Sequence, residues 1–149
     1  MKLVVGADHL GAGLKDVIRD HLIARGHEVI DVTPSIAEID YPEVAIVAAR
    51  LVSAGEVEGG VLVCGTGIGM AITANKVPGV RAASVSDPYS AERARGSNNA
   101  QLLCIGARVV GPELAAILVD HWLDTPFRGG NSGRKVDMIN ALDRLPLGS

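Results

Sequence analysis

Short apolar runs alternate with helical patterns along the whole chain. The first run, residues 2–6, is rich in β-branched residues, and apolar positions then recur at helical spacing from Leu14 to Leu22 until Gly26 supplies a stop. This pattern predicts a strand followed by a helix.

Four more repeats of the same pattern follow. Strands are predicted over residues 28–32, 60–63, 81–85 and 102–105. Helices are expected over residues 44–55, 70–76 and 114–122, and a polar helix is expected to continue to residue 92. A last helix is expected over residues 134–142, with no strand after it. Five βα repeats predict an α/β fold: a Rossmann-like, doubly wound sheet of five parallel strands, with helices on both faces and a C-terminal helix, in one domain over residues 1–149.

Composition supports this fold class. Hydrophobic residues make up 48% of the 149 residues but aromatic residues only 3%, so the core consists mainly of Val, Ile, Leu and Ala. Such a core is typical of buried parallel strands covered by helices.

Charge and hydropathy exclude several classes of function. The formal net charge is -3 and like charges do not cluster, which argues against a nucleic-acid partner. No apolar stretch reaches about 18 residues and the N-terminus lacks the features of a signal peptide, so we expect a cytoplasmic protein without membrane association. In that compartment Cys64 and Cys104 are predicted to be free thiols.

The strongest chemical signal lies after the third predicted strand. There a buried strand delivers Cys64 into the glycine-rich turn Gly65-Thr66-Gly67-Ile68-Gly69, which opens a helix. Backbone amides of such a turn suit an anion or a developing oxyanion, and the same field favours a thiolate that could act as base or nucleophile. The alternative is that Cys64 is simply a small buried hydrophobic residue.

The sequence favours neither a nucleotide site nor a metal site. It lacks the G-x-G-x-x-G spacing of dinucleotide-binding proteins and the lysine of a phosphate-binding P-loop, which argues against a nucleotide site. The four histidines show no metal-ligand spacing, so no metal site is predicted.

Polar residues near other predicted element ends are candidates for the same site, because ligands bind beyond the carboxyl ends of parallel strands. Asp8 has the alternative role of a helix cap, whereas His9 beside it has no such role. Tyr41 either packs its ring at a turn or contacts a ligand. Arg108 falls on the predicted functional rim, and Asn98 lies in a loop.

These segments together resemble the ribose-5-phosphate isomerase B family, which includes the galactose-6-phosphate isomerase subunits. The resemblance covers nearly the whole chain. Its carriers are Gly6-Ala7-Asp8-His9, Asp40-Tyr41-Pro42, residues 64–70, residues 74–82, residues 106–111, and Gly129-Gly130 with Val136-Asp137. It implies aldose-ketose exchange through an enediol on a phosphorylated sugar, without metal or other cofactor. It also implies a homodimer with active sites at the subunit interface; whether dimers pair into tetramers stays open.

The resemblance also implies roles for individual residues. Cys64 corresponds to the base that moves the proton between C1 and C2, while Thr66 and the loop amides of residues 65–69 hold the enediolate oxygen. The positions that correspond to contacts with sugar hydroxyls or phosphate are Asp8, His9, Tyr41, Asn98 and Arg108.

The chain departs from the family pattern at two places. Where many members read His-Asn-Asp-Ala-Asn, with a histidine that opens the sugar ring, residues 97–101 read Ser-Asn-Asn-Ala-Gln. In the C-terminal motif Asn131 replaces one phosphate-binding arginine and Lys135 the other, and Arg134 is the candidate to compensate.

Ser97 in place of the histidine suggests a substrate. A tetrulose with its phosphate on O4 has no free hydroxyl with which to close a five-membered ring, so it needs no ring-opening base, whereas ribose 5-phosphate does. We therefore hypothesise an acyclic tetrulose 4-phosphate as substrate, with ribose 5-phosphate as the close alternative. The competing class is a non-catalytic Rossmann-like module that binds a sugar phosphate or nucleotide.

Overall fold

Five parallel strands form one sheet in the order β2-β1-β3-β5-β4. The structure is a computed structural model that describes residues 1–36 and 38–145, so residue 37 and residues 146–149 of the predicted domain lie outside the described residues. The strands are β1 (Lys2–Ala7), β2 (Glu28–Asp31), β3 (Gly59–Cys64), β4 (Ala82–Ser84) and β5 (Leu102–Gly106). The helices are α1 (Ala12–Ala24), α2 (Tyr41–Ser53), α3 (Ile68–Ala74), α4 (Pro88–Gly96), α5 (Pro112–Asp124) and α6 (Gly130–Leu142). The predicted α/β class, strand number and parallel pairing are confirmed.

Helices cover both faces of the sheet. Because successive strand residues point to opposite faces, Val61 and Val63 of β3 pack into one core with α1, α4 and α5. Leu62 and Cys64 pack into a second core with α2 and α3. Within the described residues no helix is long and apolar enough to cross a bilayer.

The chain reverses its direction across the sheet between β1 and β3. It leaves β1 towards β2 on one side and returns to β3 on the other, with Ala7 of β1 paired in register with Val63 of β3. In doubly wound sheets the crevice at such a switch point is where ligands bind. Asp8 and Cys64 therefore lie at the edge of the sheet where a site is expected.

Several element ends differ from the prediction. The helix α3 begins at Ile68 rather than Met70 and ends at Ala74, and α4 continues past Glu92 to Gly96. The helix α6 begins at Gly130, four residues before Arg134, and both Gly129 and Gly130 have positive φ, of 69° and 62°. These ends carry few buried apolar residues, so hydrophobic periodicity could not locate them.

Candidate active site

A cleft of about 400 Å³ opens at the carboxyl edge of β1 and β3. It lies between the turn after β1, the start of α2, the turn from β3 into α3 and the turn after β5. Its lining residues are Asp8, Leu10, Tyr41, Cys64, Gly65, Thr66, Ile68, Gly69, Ile72 and Arg108.

Cys64 is the last residue of β3 and lines this cleft although its side chain is only 4% exposed. Its Sγ atom accepts a hydrogen bond from the backbone N–H of Gly67 at 3.1 Å. The Gly67 N–H is therefore a backbone donor already placed at the sulfur. The sulfur is therefore neither sealed in an apolar core nor freely hydrated.

Cys104 provides an internal comparison. It lies within β5 and is 0% exposed. Burial raises the pKa of its thiol, and the nearby Cys64 raises that pKa further. A thiol in that environment is inert at neutral pH. Cys104 therefore belongs to the core.

The turn after Cys64 is fixed against β5. The carbonyl of Cys64 accepts from the N–H of Ala107 at 2.8 Å, and the carbonyl of Gly65 accepts from the N–H of Arg108 at 3.0 Å. Gly67 has a φ of +81°, and a Cβ atom there would meet the Cys104 backbone at 3.0 Å. Glycine is required at this position because both the conformation and the space exclude a side chain.

Thr66 has a hydroxyl group with a proton left to donate. Its Oγ1 accepts a hydrogen bond from the N–H of Ile68 at 3.2 Å, and its side chain lies on the cleft. Since a hydroxyl group is both donor and acceptor, its O–H is available to an oxygen atom in the cleft.

Asp8 is 5% exposed and follows β1 directly. Its Oδ1 accepts from the N–H groups of Leu10 and Gly11, both at 3.0 Å. The residue that caps α1 is Gly11, so Asp8 closes the turn before the helix instead of occupying the cap position. His9 is exposed beside it and does not line the cleft.

Tyr41 and Arg108 form the sides of the cleft. Tyr41 is the first residue of α2, behind the cap residue Asp40, and its ring lies against Gly69 so closely that a Cβ atom at Gly69 would collide with it. The ring therefore packs at this turn and also lines the cleft, and a contact with a ligand stays a prediction. Arg108 is exposed, and its guanidinium is the cation among the lining residues.

The remaining predicted site residues lie elsewhere in the chain. Ser97 and Asn98 follow α4 and precede β5, so they lie at the amino edge of the sheet. Since β5 spans about 13 Å, they are separated from the cleft by the length of a strand. Arg134 and Lys135 are exposed on α6 and do not line the cleft either. One chain thus holds the predicted residues in two groups, on opposite edges of its sheet.

Two apolar lining residues were not predicted. Leu10 is 39% exposed in the turn after Asp8, and Ile72 is 58% exposed on α3, one turn after Ile68. The exposed pair Ile68 and Ile72 at a spacing of four is the sequence signal that could have indicated an apolar side of the site. Within residues 1–36 and 38–145, no three His, Cys, Asp or Glu side chains converge as a metal site would require.

Comparison with known families gives a match over most of the chain. The sequence profile of the family described as Ribose/Galactose Isomerase matches residues 3–139. Ribose-5-phosphate isomerase B of Escherichia coli strain K12 is 46% identical over 144 residues, which are 96% of this chain and 97% of that protein. The D-erythrulose-4-phosphate isomerase of Pectobacterium atrosepticum is 48% identical over 141 residues, 93% of each chain.

The fold is also shared with a solved structure. The ribose-5-phosphate isomerase B of Clostridium thermocellum superposes with a TM-score of 0.93 at 43% sequence identity, over 96% of this chain and 97% of that one.

Proposed function

We propose that this chain, which belongs to the ribose/galactose isomerase family, is an aldose-ketose isomerase. Its substrate is a small phosphorylated sugar, and Cys64 is its base. Its relatives include enzymes named for ribose 5-phosphate and for D-erythrulose 4-phosphate. The observation that carries the proposal is the position of the Cys64 sulfur, which lies on the cleft and accepts the Gly67 N–H.

The reaction needs a base that removes a proton and later returns it. The Cys64 thiolate takes the proton from the carbon next to the carbonyl group, and the electron pair of that C–H bond moves into a C–C double bond as the carbonyl oxygen gains negative charge. Within the enediolate, the hydroxyl proton then passes from the other oxygen to the former carbonyl oxygen. The thiol returns its proton to the former carbonyl carbon, so that the C–C double bond is lost and the new carbonyl group forms on the carbon that was deprotonated. No oxidant or cofactor is consumed, because the electrons stay within the sugar.

The negative oxygen of the enediolate needs hydrogen-bond donors already in position. The Thr66 O–H and amides of the turn over residues 65–69 are the proposed donors beside the sulfur. Two of these amides already have acceptors, because the Gly67 N–H donates to the Cys64 sulfur and the Ile68 N–H to Oγ1 of Thr66. Asp8 is oriented by its two backbone donors to bind a sugar hydroxyl, and Ile68 and Tyr41 enclose the carbon chain.

A complete site requires two copies of the chain. The cleft contains the base and the oxyanion donors. Of the residues predicted to bind the phosphate or the sugar hydroxyls, it contains Arg108, Asp8 and Tyr41 but not the others. In a homodimer with the cleft of one subunit facing the amino edge of the other, Asn98 and the cations Arg134 and Lys135 would complete it. The exposed apolar residues Met138, Ile139 and Leu142 of α6 fit burial in such an interface.

The substrate is proposed to be a tetrulose 4-phosphate. Ser97 stands where a ring-opening histidine would, and a four-carbon sugar phosphorylated on O4 stays open without one. We further propose a cytoplasmic enzyme that needs no metal, so activity should survive a chelator.

Replacement of each cysteine tests the central claim. Cys64→Ala should abolish isomerisation while binding of the sugar phosphate, measured calorimetrically, is kept. Cys104→Ala is the matched control: it removes the other buried thiol, costs stability as a small core cavity does, and should leave turnover near wild type. Turnover by Cys64→Ala would show that Cys64 is not the base. Absence of any isomerisation by the wild-type protein with four-, five- and six-carbon sugar phosphates would favour the non-catalytic binding module instead.

A further inference from the structure

Arg81 joins two segments that are distant in the sequence. It precedes β4 at the amino edge of the sheet, and its Nε donates to the carbonyls of Asn98 and Asn99 at 3.2 and 3.1 Å. One terminal nitrogen of the same guanidinium donates to Oδ1 of Asn140 on α6 at 2.8 Å. A single side chain thus ties the turn that presents Asn98 to the helix that presents Arg134 and Lys135.

Neighbouring hydrogen bonds close this link into a network. The Arg81 N–H donates to Oε1 of Gln101 at 2.8 Å, and Nε2 of Gln101 donates to the carbonyl of Gly79 at 2.9 Å. The Gly79 N–H donates to Oδ2 of Asp143 at 2.8 Å, just beyond the end of α6. The turn before β5, the turn before β4 and the end of α6 therefore hold one another.

The position of α6 depends strongly on these polar ties. Its side chains Met138, Ile139 and Leu142 are 60%, 43% and 62% exposed, so they pack little against their own subunit. Val136 is the buried apolar side chain of this helix. Within one subunit, α6 therefore relies on its hydrogen bonds more than on apolar packing.

The bonding of Arg81 indicates a geometric role. Among the residues that the structure describes, no carboxylate lies within ion-pair distance of its guanidinium, and burial lowers the pKa of the group while Asp143 acts in the opposite direction. Its acceptors are two carbonyls and one amide, which the planar fork of donors can reach at once and a lysine could not.

We infer that Arg81 is a positioning residue of the isomerase reaction, which holds Asn98 and the cationic part of α6 in a fixed arrangement for the cleft of the neighbouring subunit. The inference rests on the proposed function. Arg81 itself does not contact the substrate. It acts in trans, on a cleft whose Cys64 belongs to the other copy.

Kinetics of three variants give the first test. Arg81→Gln and Arg81→Lys should lower kcat/KM by roughly 10- to 100-fold, mainly through a higher KM, because misplaced contacts weaken binding more than proton transfer. Asn140→Ala, which breaks only the tie to α6, should raise KM with kcat near wild type even if the Arg81 variants fold poorly. The control is Arg25→Gln, which removes an arginine bound to Asp120 and Asp124 at the surface and should leave KM unchanged. Wild-type KM in Arg81→Lys and Asn140→Ala would overturn the inference.

A mixed dimer separates action in trans from a general structural effect. A dimer of one Cys64→Ala subunit and one Arg81→Gln subunit, purified through two different tags, has one cleft with an intact Cys64 facing an intact Arg81. It should regain about half of wild-type activity, because one of its two equivalent sites is restored. The same mixture with Asn98→Ala in place of Arg81→Gln tests the shared site alone.

The outcomes distinguish the two claims. Recovery with Asn98→Ala but not with Arg81→Gln would overturn the role of Arg81 and leave the shared site intact. Recovery with neither would overturn both the shared site and the inference. Full activity of Cys64→Ala dimers would overturn the proposed chemistry itself.

Discussion

The sulfur of Cys64 lies 3.1 Å from the backbone nitrogen of Gly67, three residues further along the chain. The strand β3 holds the sulfur and the turn holds the N–H donor, so the two are fixed relative to each other by the sheet. Such a donor is in place before the reaction begins and need not be reorganised during it.

Gly67→Ala should disturb this donor. The φ of +81° is costly for alanine by about 1–2 kcal/mol, and its Cβ would press on the Cys104 backbone at 3.0 Å. We expect kcat to fall by roughly 10²-fold, as loss of one preorganised donor typically causes, together with slower alkylation of Cys64 by iodoacetamide at neutral pH. Gly13→Ala is the matched control, because a Cβ atom there meets nothing within 4 Å. Unchanged kcat and alkylation rate in Gly67→Ala would contradict a role for this hydrogen bond.

The contact between Gly69 and the Tyr41 ring predicts an interaction between two substitutions. Gly69→Ala should raise KM because its Cβ displaces the ring, and Tyr41→Ala should raise KM because the side of the cleft is lost. The double variant should be no worse than Tyr41→Ala, since the collision disappears with the ring. Steady-state kinetics of the four proteins measure this, and purely additive effects would contradict the contact.

The placement of Cys64 could be predicted because it depends on the chain alone. A β-branched run followed by a thiol and alternating glycines specifies a strand end, and parallel topology places strand ends on one edge of the sheet. The position of Ser97 and Asn98 on the other edge follows by the same rule, since they precede β5.

Other features depend on tertiary contacts that local sequence does not encode. Leu10 and Ile72 line the cleft only because their turns converge there. The bonds of Arg81 join residues as far apart as Asn140, and nothing in either local pattern indicates that pairing. The start of α6, at the second of two glycines with positive φ, has no apolar periodicity from which it could be predicted.

Ser97 predicts substrate preference. Erythrulose 4-phosphate should be isomerised with a higher kcat/KM than ribose 5-phosphate. Ser97→His should raise kcat/KM for ribose 5-phosphate, because this substrate must open its ring. The same substitution should change kcat/KM for the acyclic tetrulose little, so each substrate is a control for the other. A wild-type preference for ribose 5-phosphate would contradict the tetrulose proposal while leaving the isomerase chemistry in place.

The last prediction concerns an ion pair behind the site. Lys15 is 5% exposed, and its Nζ lies 2.7 Å from Oδ2 of Asp31 and 2.8 Å from Asp16. The other oxygen of Asp31 accepts from the N–H of Thr33, and Oγ1 of Thr33 accepts from the N–H of Ala7, the residue before Asp8. The Lys15–Asp31 pair is thus connected through Thr33 to the end of β1, which Asp8 of the cleft follows directly.

The two pKa shifts set the pH range in which this pair stabilises the fold. Burial alone would raise the pKa of Asp31, but hydrogen bonds from Lys15 and Thr33 outweigh it and the pKa is lowered. Burial alone would lower the pKa of Lys15, but hydrogen bonds to Asp16 and Asp31 outweigh it and the pKa is raised. The contribution of Asp31 is therefore present above its unfolded pKa of about 4 and lost as pH falls through the lower folded value. That of Lys15 is complete below its unfolded pKa of about 10.4 and lost as pH rises through the higher folded value.

Asp31→Asn should consequently lower the free energy of unfolding by about 1–3 kcal/mol at pH 7, because a buried cation loses one of its two anionic partners. The difference from wild type should begin to shrink as pH falls below the unfolded pKa of about 4. It should approach zero below the lower folded pKa, where the native carboxylate takes up a proton. Urea unfolding at a series of pH values measures this, with Asp20→Asn as a control that removes an exposed carboxylate of α1 paired with Arg19. A stability difference that is the same at pH 3 and pH 7 would show that Asp31 acts by packing and not by its charge.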